Sequence, residues 1–281
     1  MYQNLIMKTI LVPIDFSADS INALEHAIII ANKVEASIRL IHVVKSKNFE
    51  APFVINEFTS TLSNSIDDFM KRILEKYEKK VKNGMDFKIR EGKIYREICN
   101  QAKYDDAYLI VMGTHGVSGF EEKVIGSNAY RVVVNAPCPI ITIRQKYSPV
   151  IPKKIVLPID MSKDTRKKIP FVTEYALIFG AEIHILGVSD VNSTDIKKKL
   201  TLYGNQIEEY LNERKIKVKK DIIMNKDITD SIIQYAEKND ANLIAIMTEQ
   251  VNRIAFWLGP AAQEIVNHSS VPVMSFSSLI F

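Results

Sequence analysis

Four closely spaced glycines in the first half of the chain are the strongest chemical signal in the sequence. The chain has 281 residues and ten glycines. Four of them fall within the segment that runs from Gly113 through Gly116 and Gly119 to Gly126-Ser127. Glycine lets the backbone approach a ligand closely, and successive bare N–H groups form a concave anion site. We therefore expect this loop to bind a phosphate chain through neutral donors; the alternative is a tight loop without a ligand.

Two familiar phosphate-binding motifs do not describe this loop. A Walker P-loop carries Gly-Lys-Ser/Thr after its glycines, and Gly126 is followed by Ser127-Asn128 instead. The dinucleotide fingerprint GxGxxG follows the first strand, with an acidic residue about 20 positions later. Here the glycines follow the fourth expected strand, with a different spacing.

The residues around the loop alternate between short apolar runs and helical patterns. The expected strands are 9–14, 38–44, 85–90, 109–112 and 139–143. The expected helices are 19–34, 56–83 with Gly84 as its C-cap, 94–104 and 127–135. Apolar strands separated by helices predict a parallel sheet covered on both faces. A ligand then binds at the carboxyl ends of the strands, where the glycine loop begins.

The second half of the chain repeats the first. The motif at 10–15 recurs at 155–160, and Pro139 matches Pro272. The offset falls from 145 (10 to 155) to 133 (139 to 272), so the second copy is about a dozen residues shorter. We predict two domains, 1–146 and 152–281, joined by a short segment containing Pro149 and Pro152. A connection this short predicts that the domains pack against each other.

The spacing Gly-x2-Gly-x9-Gly-Ser resembles the nucleotide-binding motif of the universal stress protein family. The segments 12–15, 41–43 and 136–139 support the resemblance, which covers essentially the whole chain as two tandem domains. It implies two Rossmann-like α/β domains, each a five-stranded parallel sheet of order 3-2-1-4-5 with helices on both faces. Many members with this loop bind ATP, with Mg²⁺ or Mn²⁺ on the phosphates.

The resemblance implies ten nucleotide-binding positions in the first domain. They are Pro13, Ile14, Asp15 and Val43 at the adenine end, Met112 and Gly113 near adenine and ribose, and Gly116, Gly126, Ser127 and Asn128 at the phosphates. Asp15 could accept from the adenine amino group or a ribose hydroxyl; alternatively, it supports the start of the first helix. We interpret His42 as a core histidine with satisfied hydrogen bonds and His115 as a loop hydrogen-bonder. No catalytic residue and no metal-ligating side chain is assigned.

The second copy lacks most of the loop chemistry. The first two glycines align with Met247 and Gln250, and Ser127 aligns with Pro260. Proline is a good first helical residue, but it removes one N–H and the hydroxyl, and Glu249 would repel a phosphate. We expect this domain to act as a structural partner of the first. The resemblance implies pairing through the fifth strands and leaves a homodimer open; Phe256 and Trp257 are expected to fill the second site.

Composition limits the remaining functional classes. The net charge is only +4, and the basic runs at 166–168, 197–199 and 219–220 each have an acidic residue nearby. We interpret these runs as solvated faces, which argues against nucleic-acid binding. Cys99 and Cys138 lack disulfide-scaffold or zinc spacing and are expected to be free thiols. The uncharged stretch 132–143 is shorter than the ~20 residues of a membrane span, and no signal-peptide pattern opens the chain. We expect a cytoplasmic protein without a membrane partner.

Three functions remain compatible with the sequence. The leading hypothesis is an ATP-binding protein with a regulatory or stress-response role and little or no turnover, at most weak ATP hydrolysis. The first alternative is an enzyme that performs slow ATP hydrolysis or nucleotidyl transfer on the same loop. The second is an interaction module that binds no nucleotide, which the intact loop of the first domain argues against.

Overall fold

The computed structural model describes residues 8–45, 55–114, 125–144, 147–248, 260–277 and 280. The first half contains β1 (Thr9–Pro13), α1 (Ala18–Val34), β2 (Ser37–Lys45), α2 (Ile55–Tyr77), β3 (Met85–Gly92), α3 (Ile94–Tyr104), β4 (Leu109–Gly113), α4 (Ser127–Asn135) and β5 (Ile140–Ile143). The second half contains β6 (Lys154–Ile159), α5 (Ile169–Phe179), β7 (Glu182–Ser189), α6 (Thr194–Asn212), β8 (Val218–Met224), α7 (Ile228–Lys238), β9 (Leu243–Thr248), α8 (Pro260–His268) and β10 (Val273–Ser277).

The described strands form one sheet of ten strands in the order β3-β2-β1-β4-β5-β10-β9-β6-β7-β8. Each half contributes five parallel strands in the expected order 3-2-1-4-5. The halves meet where β5 pairs with β10 in the antiparallel sense, with Thr142 opposite Val273 and Ile140 opposite Ser275. Pairing through the fifth strands therefore occurs within this chain and merges the two expected sheets into one.

Helices cover both faces of the sheet, as the apolar strands require. The core on one face includes Ala27 of α1 and Val172 of α5, and the core on the other includes Val132 of α4 and Ile265 of α8. Each layer is thus continuous across the junction of β5 and β10. All five residues of β4 are buried, which explains why its sequence has no polar alternation.

Helix α2 ends earlier than its sequence pattern suggests. The expectation of a helix to residue 83 is wrong, because α2 ends at Tyr77 and a single 3-10 turn follows at Glu78–Lys80. Gly84 has a φ of 88° in the turn before β3, so it is not the C-cap of α2. Its positive φ is one that glycine adopts readily, and it serves this turn instead of a helix end.

Lys168 is a core residue, so the interpretation of its basic run as a solvated face is wrong at this position. Its side chain is 1% exposed, and Nζ donates to Pro158 O (2.8 Å) and to Thr165 O. The register that aligns the two copies places Lys168 at the position of Ala23, which is fully buried in α1. Burial lowers the pKa of Lys168 to about 7, although the negative charge of Asp160 acts to raise it.

Both cysteines are free thiols, as expected. Burial raises the pKa of Cys99 and of Cys138 to about 12, so neither is a reactive thiolate near neutral pH. No helix in the described part of the chain is long and apolar enough to cross a membrane.

Candidate functional site

A cleft of about 170 Å³ opens at the carboxyl ends of β1 and β4, beside the first turn of α4. Nine of the ten sequence-predicted site residues line it: Pro13, Ile14, Asp15, Val43, Met112, Gly113, Gly126, Ser127 and Asn128. The tenth, Gly116, lies outside the described residues, as does His115. The sheet order explains the convergence, because neighbouring strands β1 and β4 direct their connections away from each other at this edge.

The turn after β1 is organised around Asp15. Its Oδ1 accepts from the backbone N–H of Ser17 (3.0 Å) and from the Ser17 hydroxyl (2.5 Å). Ser17 is the N-cap of α1 and accepts from Ser20 N–H (3.2 Å). Asp15 therefore supports the start of α1, which is one of the two roles expected from the sequence. It also lines the cleft. Among the described residues, no donor reaches its Oδ2, so that oxygen can accept from a ligand.

Gly113 lets the start of α1 approach the end of β4. A Cβ at Gly113 would lie 2.8 Å from Asp19 Cβ, closer than real Cβ atoms come to a neighbour, and a tight 3.0 Å from the Asp19 carbonyl carbon. The requirement for glycine here is close packing of the backbone and not a left-handed φ. The sequence pattern found the position but not this reason for it.

The entry to α4 supplies the donors for an anion. Gly126 has a φ of −57°, and its N–H already donates to Thr114 O (2.8 Å). The N–H groups of Ser127, Asn128 and Ala129 open the helix and have no intrahelical acceptor. They lie at the positive end of the helix dipole. No lysine or arginine lines the described part of the cleft, so an anion there would be held by neutral donors.

His42 borders the cleft, which the sequence interpretation missed. Its Nδ1 lies 2.7 Å from Ile14 O, and its ring packs on Phe16 with centroids 4.7 Å apart. The expected hydrogen bond is present, but the side chain is half-buried and lines the cleft instead of the core. A carbonyl oxygen only accepts, so Nδ1 carries the hydrogen and Nε2 is an acceptor in the neutral ring. Its place near the carboxyl end of β2 was the available signal.

The carboxyl ends of β6 and β9 in the second half correspond to those of β1 and β4, but their surroundings differ. Asp160 keeps the local role of Asp15, because its Oδ1 accepts from Ser162 N–H (2.7 Å) and from the Thr165 hydroxyl (2.9 Å). Met247 stands at the position of Gly113, so this half lacks the glycine that lets α1 pack closely on β4 in the first half. A 3-10 turn at Asp164–Arg166 precedes α5, which begins at Ile169 with Pro170 in its first turn. Residues 249–259, with Phe256 and Trp257, lie outside the described residues.

A parallel α/β sheet of order 3-2-1-4-5 with an open cleft at its strand ends defines a Rossmann-like class of protein. Residues 7–144 and 152–276 each match the profile described as the universal stress protein family. The chain therefore belongs to the universal stress protein family, with the family unit present twice.

Individual relatives agree with this assignment. A universal stress protein of Methanocaldococcus jannaschii is 33% identical over 148 residues, which are 49% of this chain and 82% of the relative. One from Bacillus subtilis is 30% identical over 143 residues, 48% of this chain and 97% of the relative. A crystal structure of an Archaeoglobus fulgidus universal stress protein has a TM-score of 0.78 at 19% identity and covers 96% of this chain and 98% of its own. That likeness supports the fold.

A second protein of the family from Archaeoglobus fulgidus has been solved in complex with dAMP. It covers 45% of this chain and 98% of its own, at 17% identity and a TM-score of 0.37.

Proposed function

We propose that the first domain, residues 1–146, binds an adenine nucleotide, with ATP as the ligand, and that the protein has a regulatory or stress-response role in the cytoplasm. The convergence of nine implied nucleotide-binding residues on one cleft carries this proposal. Membership of the universal stress protein family supports it. The tenth residue, Gly116, lies outside the described residues and is proposed to contact the phosphates.

The geometry of the cleft suggests how the nucleotide would lie. Its volume of about 170 Å³ is below the roughly 300–1,000 Å³ of pockets that enclose a whole ligand. The base and ribose would therefore occupy the cleft between Ile14, Val43 and Met112, with Asp15 Oδ2 as their acceptor. The phosphates would extend to the first turn of α4 and meet the N–H groups of Ser127 and Asn128.

A divalent ion would arrive with the phosphates. No group of three or more metal-ligating side chains lies close together within the described ranges of the chain. Mg²⁺ is commonly held by substrate phosphates with few protein ligands, which fits this donor set. Mg²⁺ or Mn²⁺ is thus proposed to neutralise phosphate charge that the neutral donors of the loop leave uncompensated.

The second domain, residues 152–281, is proposed to be a structural partner that does not bind ATP in the same way. Pro260 at the position of Ser127 removes an N–H donor and a hydroxyl at the start of α8. Met247 replaces the glycine that packs against α1 in the first domain. Its pairing with the first domain through β10 supports this division of roles.

The experiment that tests ATP binding gives the first domain the residue that the second domain has at the start of α8, Pro260. Ser127→Pro removes the N–H and the hydroxyl while proline remains acceptable as the first helical residue, and Ser127→Ala removes the hydroxyl alone. Saturating ATP with Mg²⁺ should stabilise the wild type by about 2.7 kcal/mol at a hundredfold excess over Kd. We expect Ser127→Pro to weaken ATP binding at least tenfold and Ser127→Ala to weaken it less.

Two results would overturn this proposal. One is a wild-type protein that melts cooperatively but shows no thermal shift with millimolar ATP. The other is equal affinity of wild type and Ser127→Pro. Release of inorganic phosphate, measured in the same samples, distinguishes a binding protein from a slow ATPase: sustained metal-dependent turnover lost in Ser127→Pro would favour the enzyme.

A further inference from the structure

The backbone that enters α4 is fixed by both domains. Ile125 N–H donates to Oδ1 of Asn267, which lies in the last turn of α8 in the second domain, at 2.9 Å. The next amide, Gly126 N–H, donates to Thr114 O at the end of β4. Two consecutive amides before the helix are therefore fixed, one by the first domain and one by the second.

The contact between Ile125 and Asn267 lies in a largely apolar environment. Ile125 is 5% exposed and belongs to the same core layer as Ala129 of α4 and Ala262 and Val266 of α8. Asn267 is half-buried at the edge of this layer. Loss of its acceptor oxygen leaves the Ile125 N–H without its protein partner, which is unfavourable for a donor in a buried residue. The carboxamide of Asn267 therefore favours one position of the Ile125 backbone over others.

The residue equivalent to Asn267 in the first domain cannot make the same contact. Helices α4 (127–135) and α8 (260–268) correspond at an offset of 133, so the counterpart of Asn267 in the first domain is Val134. Val134 is 2% exposed, and its side chain cannot accept a hydrogen bond. Position 134 therefore cannot provide the equivalent side-chain acceptor, and residues 249–259 before α8 lie outside the described residues. The domain with the Gly-Ser helix start receives the support of Asn267.

We propose that Asn267 is a positioning residue through which the second domain holds the phosphate-binding end of the first domain's cleft. The inference rests on the proposed nucleotide function. Because Ile125 and Gly126 directly precede Ser127 and Asn128, their backbone sets the direction of the N–H groups that would meet the phosphates. Binding energies at linked sites are reciprocal, so phosphate occupancy should in turn stabilise the position of α8.

The test compares ligands with and without phosphates on the full chain. Asn267→Val installs the residue of the equivalent position in the first domain. We expect it to weaken ATP binding about tenfold and to leave adenosine binding unchanged, measured by calorimetry. Thr142→Val is the matched control: it removes another hydrogen bond between the domains, from Thr142 Oγ1 to Val273 O (3.3 Å), at the strand junction. It should leave the affinity ratio of the two ligands unchanged.

Amide hydrogen exchange provides a readout that does not need a ligand. Ile125 N–H should exchange faster in Asn267→Val than in the wild type, whereas it should stay protected in Asn267→Asp, which keeps the acceptor oxygen. Unchanged ATP affinity, an equal loss of ATP and adenosine affinity, or unchanged protection of Ile125 would each overturn the inference. A wild type that binds neither ligand would instead defeat the proposed function, so the two failures are distinguishable.

Discussion

At the scale of single residues, Gly113 is required by the packing of α1. Replacing it with alanine should destabilise the protein by about 1–3 kcal/mol, because the new Cβ must displace Asp19 and its helix. Gly126→Ala is the matched control, since a Cβ there meets Thr114 O at an ordinary 3.4 Å. Urea unfolding of both variants checks the prediction, and equal losses of stability would contradict it.

Lys168 should make stability depend on pH. Its pKa falls from 10.5 to about 7 on folding, so between these values the unfolded state binds more protons and stability rises with pH. Relative to Lys168→Met, the wild type should gain up to about 1.4 kcal/mol per pH unit between pH 7 and 10. Urea unfolding at several pH values measures the difference. The exposed neighbour variant Lys167→Met should show no such trend against wild type.

The sequence predicted the residues of the candidate site better than it predicted which polar side chains are buried. The family resemblance, which rests on the glycine spacing, implied nine positions that converge on one cleft. Lys168 and His42 were misread because lysine is usually solvated and a histidine within a strand usually belongs to the core. The alignment of Lys168 with Ala23 was the available signal for its burial. Asn267 could not be found, since its partner Ile125 is 142 residues away.

At the scale of secondary-structure elements, the start of α1 links stability to the site. Ser17→Ala removes both the N-cap of α1 and the hydroxyl bonded to Asp15. We expect a loss of about 1 kcal/mol in unfolding free energy and weaker ATP binding, because Asp15 loses one of its two supports. Ser193→Ala is a suitable control, since Ser193 is the N-cap of α6 but its side chain makes no capping bond. Comparable losses in both variants would refute this account of α1.

Sequence patterns predicted the ends of a helix well when the residues that determine those ends are its neighbours in the sequence. Helices α3 and α4 begin and end at the expected residues, 94–104 and 127–135. The start of α5 at Ile169 also has a local signal, because Pro170 lies in its first turn, where a helix tolerates proline. The early end of α2 was missed because the glycine at 84 offered an apparent C-cap further along the chain.

At the scale of the whole molecule, the antiparallel contact between β5 and β10 covers an edge of each half. All four residues of β5 are buried in the full chain. A fragment of residues 1–146 would expose this apolar edge, and unpaired edges associate with other strands. We predict that the fragment dimerises or aggregates at micromolar concentration, as light scattering after size-exclusion chromatography would reveal. A stable monomeric fragment would contradict the prediction.

Because the two halves belong to one chain, their sequences can differ, and so can the number of nucleotides that each half binds. Two separate identical chains joined through their fifth strands would carry two equivalent clefts, and any change of sequence would alter both. In this chain the two strand-end corners differ, with Gly113 on one side and Met247 on the other. If only the first cleft takes ATP, the saturation curve is a simple hyperbola with one nucleotide per chain. Such a protein reports nucleotide concentration in a graded manner, without a cooperative threshold.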